Sequence, residues 1–176
     1  MNLEDAANLG ELLGGLAILV TLMFGLRQIM ELNTAKEKEA ARELSNLLSS
    51  PMYQYGLSVL VNKFTDDFSI EELDKMERKD KDALNYVVIN TNSIGLMTHG
   101  KQLSFSAVSR FMQPINIIIG KRLRVSIKMI RENALRQNIP GAENVVMDWA
   151  IWLLDRMDEL PPIEAPAYIL HSNWEP

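Results

Sequence analysis

The sequence predicts an all-α protein in which a single N-terminal transmembrane helix continues into a small cytoplasmic helical bundle. Three observations carry that reading. Residues 9–26 read LGELLGGLAILVTLMFGL, with no charge between Leu12 and Leu26. In the rest of the chain apolar residues recur at three and four positions, the period of a helix face, and no period-two alternation persists long enough for a sheet. Breakers at Pro51, Gly100 and Pro140–Gly141 fall between these runs rather than inside them.

With 176 residues there is room for one anchor and one modest core. The expected division is 1–32 for the anchor, 33–160 for the bundle and 161–176 for a proline-rich extended tail. The chain has no cysteine, which excludes disulfides, thiolate metal sites and a thiol nucleophile. Only His99 and His171 are present, so no histidine-built metal site and no cofactor are expected.

From Leu12 to Leu26 a helix covers about 22 Å, short of a hydrocarbon core of about 30 Å. Leu9, Gly10, Ile29 and Met30 extend it, with Glu11 at one interface and Arg27 snorkelling at the other. Asn8 and Glu11 have the spacing of a capping box at its start. Glu4 and Asp5 stand where a signal peptide needs a basic region, so the run is expected to remain as an anchor. No Lys or Arg precedes it, whereas Arg27, Lys36, Lys38 and Arg42 follow, which predicts an N-terminus outside and the bulk of the chain in the cytoplasm. The competing reading is a buried core helix of a soluble protein.

Past Met30 no breaker occurs before Pro51, and Ala40, Ala41, Leu44, Leu47 and Leu48 keep helical spacing, so the anchor should run on as one rod. Pro51 opens a helix facing Met52, Tyr55, Val59 and Leu60 inward, which ends before a turn at Asp66 and Asp67. Ser69 with Glu72 is a second capping box, at the head of the charged stretch IEELDKMERKDKD. Residues 83–97 predict a core helix through Leu84, Val87, Val88, Thr91 and Ile94. Ser104 or Ser106 should cap the next helix, interrupted or kinked near Pro114, with Ile119, Leu123, Ile127, Ile130 and Ala134 along one side. A last helix is expected over 145–157, followed by the tail.

Three features point to binding rather than chemistry. Gly10, Gly14, Ala17, Thr21, Gly25 and Gln28 share one face of the anchor, where small residues permit close helix–helix approach. Lys121, Arg124, Lys128 and Arg131 form a basic stripe that reads either as a solvated face or as a contact for lipid or an acidic partner. No aromatic stacking set accompanies the stripe, so nucleic acid is disfavoured. The stripe lies in a strongly polarised region: 121–136 holds six basic residues against Glu132, whereas 143–176 holds seven acids against Arg156. In the tail, Tyr168, Ile169, Leu170 and Trp174 either dock on a partner or fold back on the chain's own domain.

Catalytic signatures fail. GLMTHGKQ, residues 95–102, has P-loop spacing up to the lysine, but Gln102 stands where the Mg²⁺-binding hydroxyl belongs and a helical pattern precedes it. His99 fits a helix C-terminus better than a general base. Trp149 and Trp152, with Leu153 and Arg156, fit packing on the bundle.

The segment GELLGGLAILVTLMFGLRQI followed by Asn33 and Thr34, together with ALNYVVINTNSIGLMTHGKQLS and the Trp149 helix, resembles the bacterial family called domain of unknown function 4760. That resemblance implies one N-terminal membrane helix joined to a small helical cytoplasmic domain, at the bacterial inner membrane, and brings no activity or catalytic residues with it. The long charged stretch and the proline-rich C-terminus depart from the family's pattern. The function expected is therefore non-enzymatic: an interaction or assembly module in contact with membrane lipid, forming a homo-oligomer or serving as an accessory subunit of a larger integral-membrane complex. The alternative is a membrane-attached sensor or stress effector that oligomerises through its anchor.

Overall fold

The computed structural model describes residues 3–65, 68–141 and 146–163, with side chains described at position 15 and from 17 onward. Among the described residues six helices follow one another: α1 (Leu3–Leu48), α2 (Pro51–Asn62), α3 (Ile70–Lys75), α4 (Arg78–His99), α5 (Phe105–Arg136) and α6 (Asp148–Asp158). No strand occurs among the described residues, and the fold is all-α.

Helix starts follow the side chains that can satisfy free amides. The Ser50 hydroxyl accepts from the Tyr53 amide at 3.3 Å and Pro51 occupies the first turn of α2, where its missing N–H costs nothing. Ser69 and Glu72 cap α3 reciprocally. Of the two serines before α5, Ser104 is the cap.

Four boundaries differ from the sequence expectation. The backbone of α1 is already helical at Leu3, so Asn8 does not start it, and the side chains of Asn8 and Glu11 lie outside the described residues. The charged stretch breaks at Met76 and Glu77, both extended, because Met76 turns inward onto the core. Pro114 does not interrupt α5. It sits on the exposed face, and the Arg110 carbonyl that loses its helical donor belongs to an exposed residue. The last helix starts at Asp148 because Met147 adopts φ 60° and the Val146 carbonyl is taken by the Arg131 guanidinium at 2.7 Å.

Helix α4 is the axis of the bundle. Its Leu84, Val87, Val88, Thr91 and Ile94 are buried, with α2 on one side and α6 on the other. Both neighbours approach through glycine. A Cβ at Gly56 of α2 would lie 2.5 Å from the Ala83 carbonyl oxygen, and one at Gly95 of α4 would collide with the Trp149 carbonyl. Helix α5 closes the bundle through Val108, Met112, Ile119, Leu123 and Ile127, and its Arg122 donates to the Val61 carbonyl at 2.7 Å, satisfying an end of α2.

Only the last turns of α1 join this core, through Ala40, Leu44 and Leu48. From Gly15 to Glu39 every described side chain except the half-buried Gly25 is exposed. Among the described residues no helix is long and apolar enough to cross a membrane. The first part of the apolar run, including Gly10, Gly14 and Leu16, has side chains outside those residues.

Candidate functional site

Where α1 meets the bundle, a cleft of about 620 Å³ opens between α1, the α4–α5 connection and α6. Helix α1 contributes Asn33, Lys36, Glu37 and Ala40, the end of α4 contributes Thr98 and His99, the connection contributes Lys101, Gln102, Leu103 and Ser104, and Phe105, Trp152 and Arg156 complete the lining. Leu103 and Ala40 are buried and Phe105 and Trp152 half-buried, so the floor is apolar, whereas Lys36, Lys101 and Arg156 are exposed at the rim.

Local structure sets these side chains. Helix α4 ends at His99, whose ring lies 4.4 Å from the Trp149 ring and edge-on to Trp152 at 5.4 Å. That contact ties the end of α4 to α6 through aromatic packing. Lys101 then adopts φ 58°, the left-handed conformation, and the following Gln102 amide closes back on the Met97 carbonyl at 2.9 Å. A lysine thus fills the position that glycine usually fills, at a cost of about 1 kcal/mol. Arg156 pairs with Glu159, whereas Lys36 and Lys101 form no ion pair among the described residues.

The basic stripe of α5 is largely engaged inside the chain. Arg124 reaches Asp158 at 2.6 Å and Asp155 at 3.0 Å, Arg131 reaches Asp148 at 2.6 Å, and Lys128 lies 3.8 Å from Glu132. Lys121 is exposed on the same helix and also makes an interaction. Asn116 joins this seam by donating to Asp158 at 2.7 Å. Part of the charge asymmetry is therefore spent between α5 and α6, where Arg124 and Arg131 meet Asp148, Asp155 and Asp158.

On α1, Ala17, Thr21 and Gln28 are exposed and Gly25 has open space where a Cβ would be; the Thr21 hydroxyl donates to the Ala17 carbonyl at 2.8 Å. Gly10 and Gly14 on the same face have side-chain surroundings outside the described residues, as does the whole set Tyr168, Ile169, Leu170 and Trp174. The tail's beginning is held where the Gln113 amide donates to the Pro161 carbonyl at 2.8 Å.

No family model matches the chain. No curated protein and no solved structure matches it either.

Nucleotide chemistry does not fit residues 95–102, because Gly95 lies inside α4 and packs on α6 rather than cradling a phosphate. Among the described residues no cluster of three or more His, Asp or Glu could hold a metal. The strongly interacting ionisable cluster sits elsewhere, between α2 and α4. There the buried Asp80 carboxylate accepts from the Tyr55 hydroxyl at 2.5 Å and pairs with Lys63, whose hydrogen bond is the largest cause of its lowered pKa. Lys79 stands 4.5 Å over the Tyr55 ring. This cluster acts as a polar clip between α2 and α4.

Sequence reasoning missed Lys36, Lys101, Phe105 and Arg156 as neighbours. Three distant segments form the cleft, and its one local signal was a lysine following glycine at a helix end.

Proposed function

We propose that the chain is a single-pass membrane protein, N-terminus outside, whose α1 anchors a cytoplasmic helical domain acting as an interaction or assembly module. One observation carries the reading. Ten large apolar side chains between Ile18 and Leu32 stand 46–71% exposed. They surround the helix, since Ile18, Leu19, Val20, Phe24 and Leu32 fall at about 0, 100, 200, 240 and 320° around its axis.

A helix apolar on all sides needs apolar surroundings. Leaving the exposed part of these ten in water forgoes on the order of 10–20 kcal/mol, comparable with the entire net stability of a domain. Arg27 pairs at 2.9 Å with Glu31 on the domain side, the direction in which a boundary cation snorkels. The family resemblance implies the same architecture and is part of this proposal. The face Gly10, Gly14, Ala17, Thr21, Gly25 and Gln28 supplies the contact with a second copy or with a larger integral-membrane complex. The internal engagement of the α5 cations weighs against nucleic acid as the partner.

Purification from native membranes in mild detergent through a C-terminal tag, with the particle mass measured by light scattering, tests the assembly. The expected result is a particle larger than one chain plus detergent, reduced by Gly25→Leu. A monomer without companions contradicts it.

A second reading, a sensor that signals through oligomerisation of α1, draws on the cleft, because a ligand there would touch α1 directly. Its test is a change in membrane potential on expression under stress; an unchanged potential contradicts it.

A further inference from the structure

We infer that the cleft at the foot of α1 binds the headgroup of an anionic phospholipid, with the phosphate between Lys36 and Lys101 and the glycerol end against Phe105 and Trp152. The inference rests on the membrane reading of α1 and assigns a ligand to the cleft.

Position is the first argument. The apolar exposed run ends at Leu32 and the cleft begins at Asn33, so the rim lies within about one helical turn of the boundary where headgroups begin. Chemistry is the second. The lining carries Lys36, Lys101 and Arg156 against Glu37, and neither lysine has an ion-pair partner among the described residues, unlike the three α5 cations engaged with nearby acids. The apolar floor beneath these cations suits an amphiphile better than a fully hydrated anion. Third, Lys101 is held in the left-handed region although Gly100 stands one position earlier at φ −72°. The chain thus keeps a cation at the strained position rather than a glycine.

The test uses the full-length protein in neutral detergent, titrated with phosphatidylglycerol, phosphatidylcholine or soluble glycerophosphate and read by native mass spectrometry. The expected result is preferential retention of phosphatidylglycerol, weakened about fivefold by Lys36→Ala or Lys101→Ala and about thirtyfold by both. Equal loss of charge through Lys75→Ala with Arg78→Ala, on the α3–α4 side, should leave binding unchanged. Lys101→Gly should weaken binding while leaving the domain no less stable, which separates a ligand contact from a folding role. Equal binding of the two lipids, or unchanged binding by the double variant, overturns the inference. Glycerophosphate binding as tightly as the lipid also overturns it, in favour of a soluble anion. Membrane fractionation of the same protein reports on the anchor independently: a chain that stays with the membrane but shows no lysine-dependent lipid preference refutes this site alone.

Discussion

The amide of Ala150 donates to the side-chain oxygen of Asn92 at 3.1 Å, so the first turn of α6 is capped from the neighbouring helix. Met147, the residue before α6, provides no side-chain cap. Three positions on, Gly95 lets the Trp149 carbonyl approach α4, and at the next turn His99 packs on Trp149 and Trp152. The sequence Asn92, Gly95, His99 is therefore one seam that fixes α6 and, with it, one wall of the cleft.

Asn92→Ala should lower stability by about 1 kcal/mol, the usual effect of losing a helix cap. Urea unfolding measures it, and Asn92→Asp, which keeps an acceptor in place, should lose much less.

Gly95→Ala sets two effects against each other. Alanine gains about 1 kcal/mol of helix propensity, but its Cβ overlaps a backbone carbonyl that cannot move without lifting α6, and overpacking of that kind costs about 1–3 kcal/mol. The clash should win, with a lower thermal midpoint and changed near-ultraviolet signals from Trp149 and Trp152.

Much of the bundle was legible in the sequence because its signals are local. The caps at Ser69 and the apolar spacing of Leu84, Val87, Val88 and Ile94 depend only on near neighbours, and the structure repeats them. The break at Met76 was not legible, because a buried contact turns the chain there without glycine or proline. Nor was the pairing of Arg124 with Asp155 and Asp158, since a stripe of cations gives no indication of which helix it faces. The cleft was hidden for the same reason: Lys36, Lys101 and Arg156 become neighbours only through tertiary packing.

The α5–α6 ion pairs should couple measurably. A double-mutant cycle with Arg124→Ala and Asp158→Ala should give an interaction energy of about 0.5–1 kcal/mol, because Arg124 is only partly exposed, and added salt should shrink it. Zero coupling at low salt would show the pair to be incidental.

Stability should be flat between about pH 4 and pH 10 as far as the α2–α4 clip and its buried neighbour Tyr53 are concerned, and fall outside that window. Asp80 has a folded-state pKa below its ordinary 3.8, through hydrogen bonds from Lys63 and Tyr55, so its contribution is complete above that value and lost as pH falls through the folded pKa. At the alkaline end, burial pushes the Tyr53 phenol from 10.0 to about 12, with Thr91 opposing, so the unfolded chain ionises first and stability declines from pH 10 upward. Lys63 acts in the same direction: its pKa is raised by Asp80, and its contribution is lost as pH rises through that value. Asp80→Asn should flatten the acid limb in pH-dependent urea titrations; an unchanged limb would assign it to other carboxylates.

Alkaline carbonate extraction of membranes from cells making either the full chain or residues 33–176 tests the anchoring role of α1 most directly. The full chain should remain in the membrane pellet and the truncated domain should appear folded in the supernatant. Complete extraction of the full chain into the supernatant would contradict the account.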